Sequence, residues 1–218
     1  MKKTPYLFII FILMINHSDA QKLSFGLSAG ATLASYKSAI ESISFTSKTK
    51  VGFTAGLAAD LPISKSFNFS PQLNFVQKGG KQKEDDYLDK LTLNYVELPL
   101  NFTLNASTSK GSFFVGTGPS LSMALSGKDK WHDDRESGGG DIKFGGGDDD
   151  DLKPFEIGIN ALAGFRFSNG FFIAVNYNAA VNNIAPHDPD FNSKYHNRYF
   201  GIRAGFIFKH TAVIATKQ

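Results

Sequence analysis

A side-chain period of two, recurring in eight segments, restricts this chain more than any other feature. From Leu23 the stretch LSFGLSAGA places Leu23, Phe25, Leu27, Ala29 and Ala31 on one face and Ser24, Gly26, Ser28 and Gly30 on the other. That is the alternation of a strand, not the 3.6-residue repeat of a helix. Val51, Phe53, Ala55 and Leu57 then oppose Gly52, Thr54, Gly56 and Asp60. The pattern returns over 67–75, 96–104, 113–125, 155–167, 171–181 and 200–208. Each segment is close to the length of about 9 to 11 residues that a tilted strand needs to cross a bilayer.

Connection lengths give a separate signal. They run long (33–49), turn (62–65), long (79–90), shorter (105–111), longest (127–153), turn (168–170) and long (183–197). Strict alternation puts every long loop at one end of an up-and-down barrel and every short turn at the other. The fold expected is all-β: an eight-stranded antiparallel up-and-down transmembrane β-barrel.

Residues 1–20 read as a signal peptide. Lys2 and Lys3 precede an apolar core over 6–15, too short to span a bilayer, and Ser18 and Ala20 supply the small residues of a cleavage site near Ala20. The expected barrel domain is 21–209, followed by a short tail, 210–218. With no cysteine, disulfides, thiolate metal sites and a lipoprotein anchor are excluded. The net charge of +3 is spread without a run of five basic residues, so no nucleic-acid partner is expected.

Period alone does not say which face is wet, and a soluble lipocalin-like ligand-binding barrel would bury its oily face. The polar face decides. It carries Gly, Ser, Thr and Asn, with Asp60, Lys78, Glu97, Glu156, Arg166 and Arg203 as the charged exceptions. A solvent surface holds about 25–35% charged residues; this face holds too few. Ten glycines, among them Gly30, Gly56, Gly118 and Gly205, share it, as a narrow eight-strand interior requires. The oily side therefore meets outer-membrane lipid, and Phe25, Phe67, Phe102, Phe113, Phe165, Phe167, Phe171, Phe206 and Phe208 form an aromatic girdle near the short turns. Pro71, Pro99 and Pro119 fit this least well, since each removes a ladder hydrogen bond. The apolar phase also slips between Tyr95 and Val96, as a bulge near 94–96 would explain.

The site expected from this pattern is a lumen ion-pair network. Glu97 and Arg203 should pair across mid-barrel and Asp60 with Arg166 nearer the turns, with Glu156 also in the network, as a plug rather than a gate. No catalytic group is expected: His132, His187, His196 and His210 lack a GxSxG stretch or another catalytic context. No cofactor or metal is expected either. The acid- and glycine-rich segment 127–153 lacks EF-hand spacing and reads as a solvated, disordered loop.

NYVELPLNF (94–102), GTGPSLSMALSGK (116–128) and NRYFGIRAGFIF (197–208) resemble the outer-membrane β-barrel domain family of Bacteroidetes, the PorT-like or "porin family" proteins. The resemblance covers the mature chain and implies that Pro99 and Pro119 are ordinary features of these strands. It also implies an outer-membrane location and, in some members, a part in protein secretion or gliding machinery. The tail after Phe208 departs from barrels that end on the aromatic. The expected function is that of a small, monomeric, non-enzymatic barrel with a structural or surface-binding role through its extracellular loops, rather than a general diffusion pore. The alternatives are an accessory subunit of a secretion machinery, with protein partners at those loops, and the soluble ligand-binding barrel. Fractionation separates the last: the mature protein should sediment with membranes and require detergent for release.

Overall fold

Residues alternating at period two pair into long antiparallel hairpins, because only pairing satisfies their backbone groups in lipid. The computed structural model describes residues 23–41, 43–84, 87–147, 149–186 and 193–208. The expected signal peptide and tail, with His187 and His210, lie outside them. Ten strands run β1 (Ser24–Ile40), β2 (Ile43–Thr46), β3 (Lys50–Pro62), β4 (Phe67–Glu84), β5 (Tyr87–Thr108), β6 (Gly111–His132), β7 (Ser137–Asp141), β8 (Phe155–Phe167), β9 (Phe171–Ala180) and β10 (Ser193–Phe208). The sheet order is β10-β9-β8-β6-β5-β4-β3-β1, and β10 pairs with β1 to close the ring. Closure runs from Phe25↔Phe208 to Ile40↔Ser193. The short strands β2 and β7 pair only with the far ends of β1 and β6. Eight strands therefore make the wall.

Burial is inside out relative to a soluble protein. Leu27, Phe53, Leu57, Val115, Met123 and Ile159 are exposed, whereas Thr54, Asn74, Glu97, Asn101, Glu156 and Asn178 are buried. This excludes the soluble barrel, whose oily face would be the buried one. The aromatic residues at the turn end touch one another around the wall, with Phe113, Phe165, Phe167 and Phe171 in successive contact.

The strands are longer than their sequence pattern indicates. Of the segment 79–90, read as a long loop, residues 79–84 belong to β4 and 87–90 to β5; residues 105–108 complete β5. Segment 127–153 is not a disordered loop. β6 continues through His132, β7 returns along it, and Ile142, Phe144 and Leu152 pack at the barrel mouth. Polar composition concealed these extensions, which leave the bilayer and so lose the oily alternation.

The slip near 94–96 also has a different cause from the one expected. Leu93, Tyr95 and Glu97 are all fully buried, so β5 keeps one phase. Its inward residues change character, from polar at Glu97 to oily at Tyr95 and Leu93. They join Ala34, Tyr36, Val76, Leu152, Ile184, Tyr195 and Tyr199 in a small core that caps the lumen. A register shift does occur there, but the extra residue lies on β6, where Asn94 pairs with Ser126 and Tyr95 with Ala124, leaving Leu125 unmatched.

Each proline borders a break in pairing. Partners jump from Ala58↔Gln72 to Leu61↔Phe69, from Pro71↔Leu100 to Asn74↔Glu97, and from Pro99↔Ser120 to Phe102↔Thr117. Prolines thus occupy places where the ladder is already open.

Close approach explains the inward glycines best at Gly118, where an added Cβ would lie 2.0 Å from the Leu100 carbonyl oxygen. Backbone cannot yield as a flexible side chain does. Gly118→Ala is expected to destabilise the barrel by about 1–3 kcal/mol, read as a lower temperature at which the heat-modifiable band shifts on a detergent gel.

Candidate functional site

The lumen is organised around one lysine. Lys78 rises from β4 into mid-barrel and is fully buried, with its Nζ 2.8 Å from Glu97 Oε2 and 2.6 Å from Glu156 Oε1. It also donates to Ser122 Oγ at 3.1 Å and lies over the rings of Tyr95 and Tyr199, 5.0 and 5.5 Å from their centroids. The carboxylates find further donors. Tyr199 Oη donates to Glu97 Oε1 at 2.6 Å, and Asn197 Nδ2 to Glu156 Oε2 at 2.8 Å. These groups come from β4, β5, β6, β8 and β10, so the layer crosses the whole bore.

Of the residues singled out from the sequence, Asp60 and Arg166 meet at 2.7 Å, and Asp60 also accepts from Asn68 and Ser70. Glu97 and Arg203 do not form the expected pair. Arg203 donates to Gln72 Oε1 at 3.0 Å and to Tyr199 Oη at 3.3 Å, reaching Glu97 only through that hydroxyl. The reason is height. β4 runs past Lys78 to Glu84, so this lysine stands at mid-barrel, where it takes both carboxylates. Its place on the polar face was the available signal. Three cations, Lys78, Arg166 and Arg203, thereby balance Asp60, Glu97 and Glu156.

Towards the turns an amide chain continues the plug: Asn176 donates to Asn160, and Asn160 to Asn101. Arg166 leans over the Phe114 ring at 5.9 Å. A cavity of about 50 Å³ lies between Asp60, Arg166, Asn176 and Arg203. Nε of Arg166, Nε of Arg203 and Oδ1 of Asn176 find no partner among the described residues, and the cavity is large enough for water to reach them.

Beyond the oily cap, the inward side of the β5–β6 extension carries Asp89 and Asp129. Burial, with the hydrogen bond to Asp89 next, pushes the Asp129 carboxyl up to about 6. Asp151, Tyr36 and Tyr87 are its other titratable neighbours. In the acidic segment, Asp150 accepts from the Gly147 amide and Asp151 from the Lys143 amide, so both close local turns. Among the described residues no group of three or more His, Asp or Glu is placed to hold a metal ion.

The family model of the outer membrane protein beta-barrel domain matches residues 18–185. The chain belongs to this family. It is accordingly an outer-membrane β-barrel protein, and the oily face described above is its lipid contact. No curated protein sequence matches it. Among solved structures it is similar to Ail, the attachment invasion locus protein of Yersinia pestis, at 13% identity and a TM-score of 0.42, over 86% of this chain and 99% of that one. It is similar to neisserial surface protein A at 12% identity and 0.43, over 84% and 97%. The outer membrane protease OmpT from Escherichia coli matches at 11% and 0.38, over 89% and 99%.

Removing the shared lysine of this barrel would strand two buried carboxylates. Lys78→Met should destabilise the folded protein by about 3–5 kcal/mol, and adding Glu97→Gln and Glu156→Gln should recover most of it, as read from urea unfolding in detergent. A separate effect concerns the extension. Asp129 is raised in the folded protein, so the native state holds more protons than the unfolded one between its ordinary value and about 6. Stability of the β5–β6 extension should therefore fall as pH rises through that window. Amide exchange at Lys128–Lys130 should quicken from pH 4 to 7 beyond the intrinsic rate change, and Asp129→Asn should abolish the excess.

Proposed function

We propose that this protein works as a small surface-displayed scaffold of the outer membrane, with a structural or binding role carried by its loop end, and not as a diffusion pore. The observation that carries the reading is double blockage of the bore. The fully buried Lys78, Glu97 and Glu156 fill it at mid-height, and Tyr36, Leu93, Tyr95, Leu152, Ile184 and Tyr195 pack across its mouth. An interior this filled supports a barrel without a continuous aqueous path.

In this reading residues 1–20 are removed near Ala20, the short turns face the periplasm, and the loop end faces outward as a monomer. The role is not enzymatic. His132 lies on the outward side of the β6 extension and His196 on the outward side of β10, and neither joins a nucleophile or carboxylate within the lumen. Narrower kinship with the PorT-like barrels of Bacteroidetes rests on the segments 94–102, 116–128 and 197–208.

Planar-bilayer recording tests the reading. The purified protein should give no stepwise conductance, while Lys78→Ala, Glu97→Ala and Glu156→Ala together with removal of 142–152 should. Regular steps from the unaltered protein would sink the reading. Protease treatment of intact cells should cleave within 133–154 and leave 63–66 and 168–170 uncut; the reverse pattern would refute the orientation. A stable multiprotein complex isolated in mild detergent would favour the secretion-subunit alternative over the lone scaffold.

A further inference from the structure

The blade formed by β4, β5, β6 and β7 beyond the oily cap separates its charges by face. Register defines the two sides. On the outward side stand Lys81 opposite Lys90, and Lys90 opposite Lys130, with Lys83 and Lys128 one strand-repeat away. All five are exposed. On the inward side stand Asp89 and Asp129. Ordinary solvated sheet faces intersperse both signs; like charges placed directly opposite one another are destabilising unless something neutralises them.

The Leu125 irregularity creates this arrangement. Below it, the odd residues of β6, Leu121, Met123 and Leu125, face lipid; above it the even residues Lys128 and Lys130 take the outward side. Without the extra residue, Asp129 and Trp131 would face out and both lysines in. The outward lysines thus continue the lipid-facing wall upward, since Lys90 shares the phase of Val96, Leu98 and Phe102 on β5.

The lysines border a groove of about 660 Å³ whose floor is the bare backbone of Gly139 and whose walls include Lys90, Lys128, Lys130 and His132. Its one outward acid, Asp141, lies 3.7 Å from Lys128, and both are largely exposed. The groove is roomy enough for a phosphorylated sugar, and its net charge is positive.

We propose that this groove binds the phosphates of an anionic glycolipid head group whose acyl chains lie against the oily wall below. Two observations favour a lipid over a soluble anion: the basic face stands on the outward side of the same strands as the lipid-facing belt, separated from it by a polar row of Thr92, Asn94 and Ser126, and its charge is complementary to a phosphate layer. Placing that lipid in the outer leaflet rests on the orientation proposed above; the binding site itself does not.

The test titrates lipid A into the full-length protein in neutral detergent, with parallel arms using lipid A stripped of both phosphates and a soluble sulfated glycan. Lys90→Glu/Lys128→Glu/Lys130→Glu should weaken lipid A binding by about tenfold or more, as should loss of the phosphates. Lys65→Glu/Lys110→Glu, at the turn end, should change nothing. The gel shift on heating reports folding, and Lys90→Gln/Lys130→Gln supplies a milder variant, expected to lose severalfold, should the triple reversal misfold. Undiminished lipid A binding by the folded variants, equal binding of the stripped lipid, or preference for the soluble glycan would each overturn the proposal. Because binding is read in detergent, a reversed orientation in cells would leave this result standing.

Discussion

One ammonium group between two carboxylates is the interaction on which the interior depends. An isolated charge inside so narrow a barrel would be prohibitively desolvated, and even a single ion pair would leave one of the two glutamates bare. Lys78 resolves this by sitting between Glu97 and Glu156 while Tyr199, Asn197 and Ser122 supply the remaining hydrogen bonds. The neighbouring pair, Asp60 and Arg166, and the amide chain below follow the same rule on the turn side. Paired polar groups, rather than an apolar core, fill the bore at this height.

Above that layer the same inward face becomes oily. Tyr95 and Leu93 follow Glu97 on β5, and Tyr36 follows Thr32 and Ala34 on β1. The molecule therefore contains two fillings of opposite chemistry in one tube: a hydrated polar plug in the membrane and a small dry core at the mouth. The second lets loop residues such as Leu152 and Ile184 fold inward at the barrel mouth.

How much of this could be read from the residues depends on where they lie. The lipid-crossing parts of the wall were legible because acyl chains outside and water inside enforce a strict period of two, as in Leu27 to Ala31 and Phe113 to Met123. The polar face disclosed the charged lumen residues as a set. It did not disclose their partners: Glu97 and Arg203 share a region, yet Lys78, on a strand longer than its oily pattern, stands between Glu97 and Glu156 and takes both. Outside the bilayer no solvent contrast marks the period, so residues 79–84 and 87–90 read as loop while forming strands. Glycine and aspartate likewise masked the fold of 127–153, where a few oily side chains at 142, 144 and 152 suffice to anchor it. The slip at 94–96 was visible, but a change from polar to oily filling on one face looks the same in sequence as a change of face.

The balanced charges of the lumen sit on strands far apart in the chain: Asp60 meets Arg166 across 106 positions, and Lys78 meets Glu156 across 78. The β4–β5 hairpin can bring Lys78 to Glu97, but Glu156, Asp60 and Arg166 have no partner within their own hairpins. A partly zipped sheet entering the membrane would display those ions along its concave side until β8 faces β3 and β4 across the bore. Completion is thereby made electrostatically distinct from every unfinished intermediate, giving insertion an all-or-none character that local hairpin formation alone would not supply.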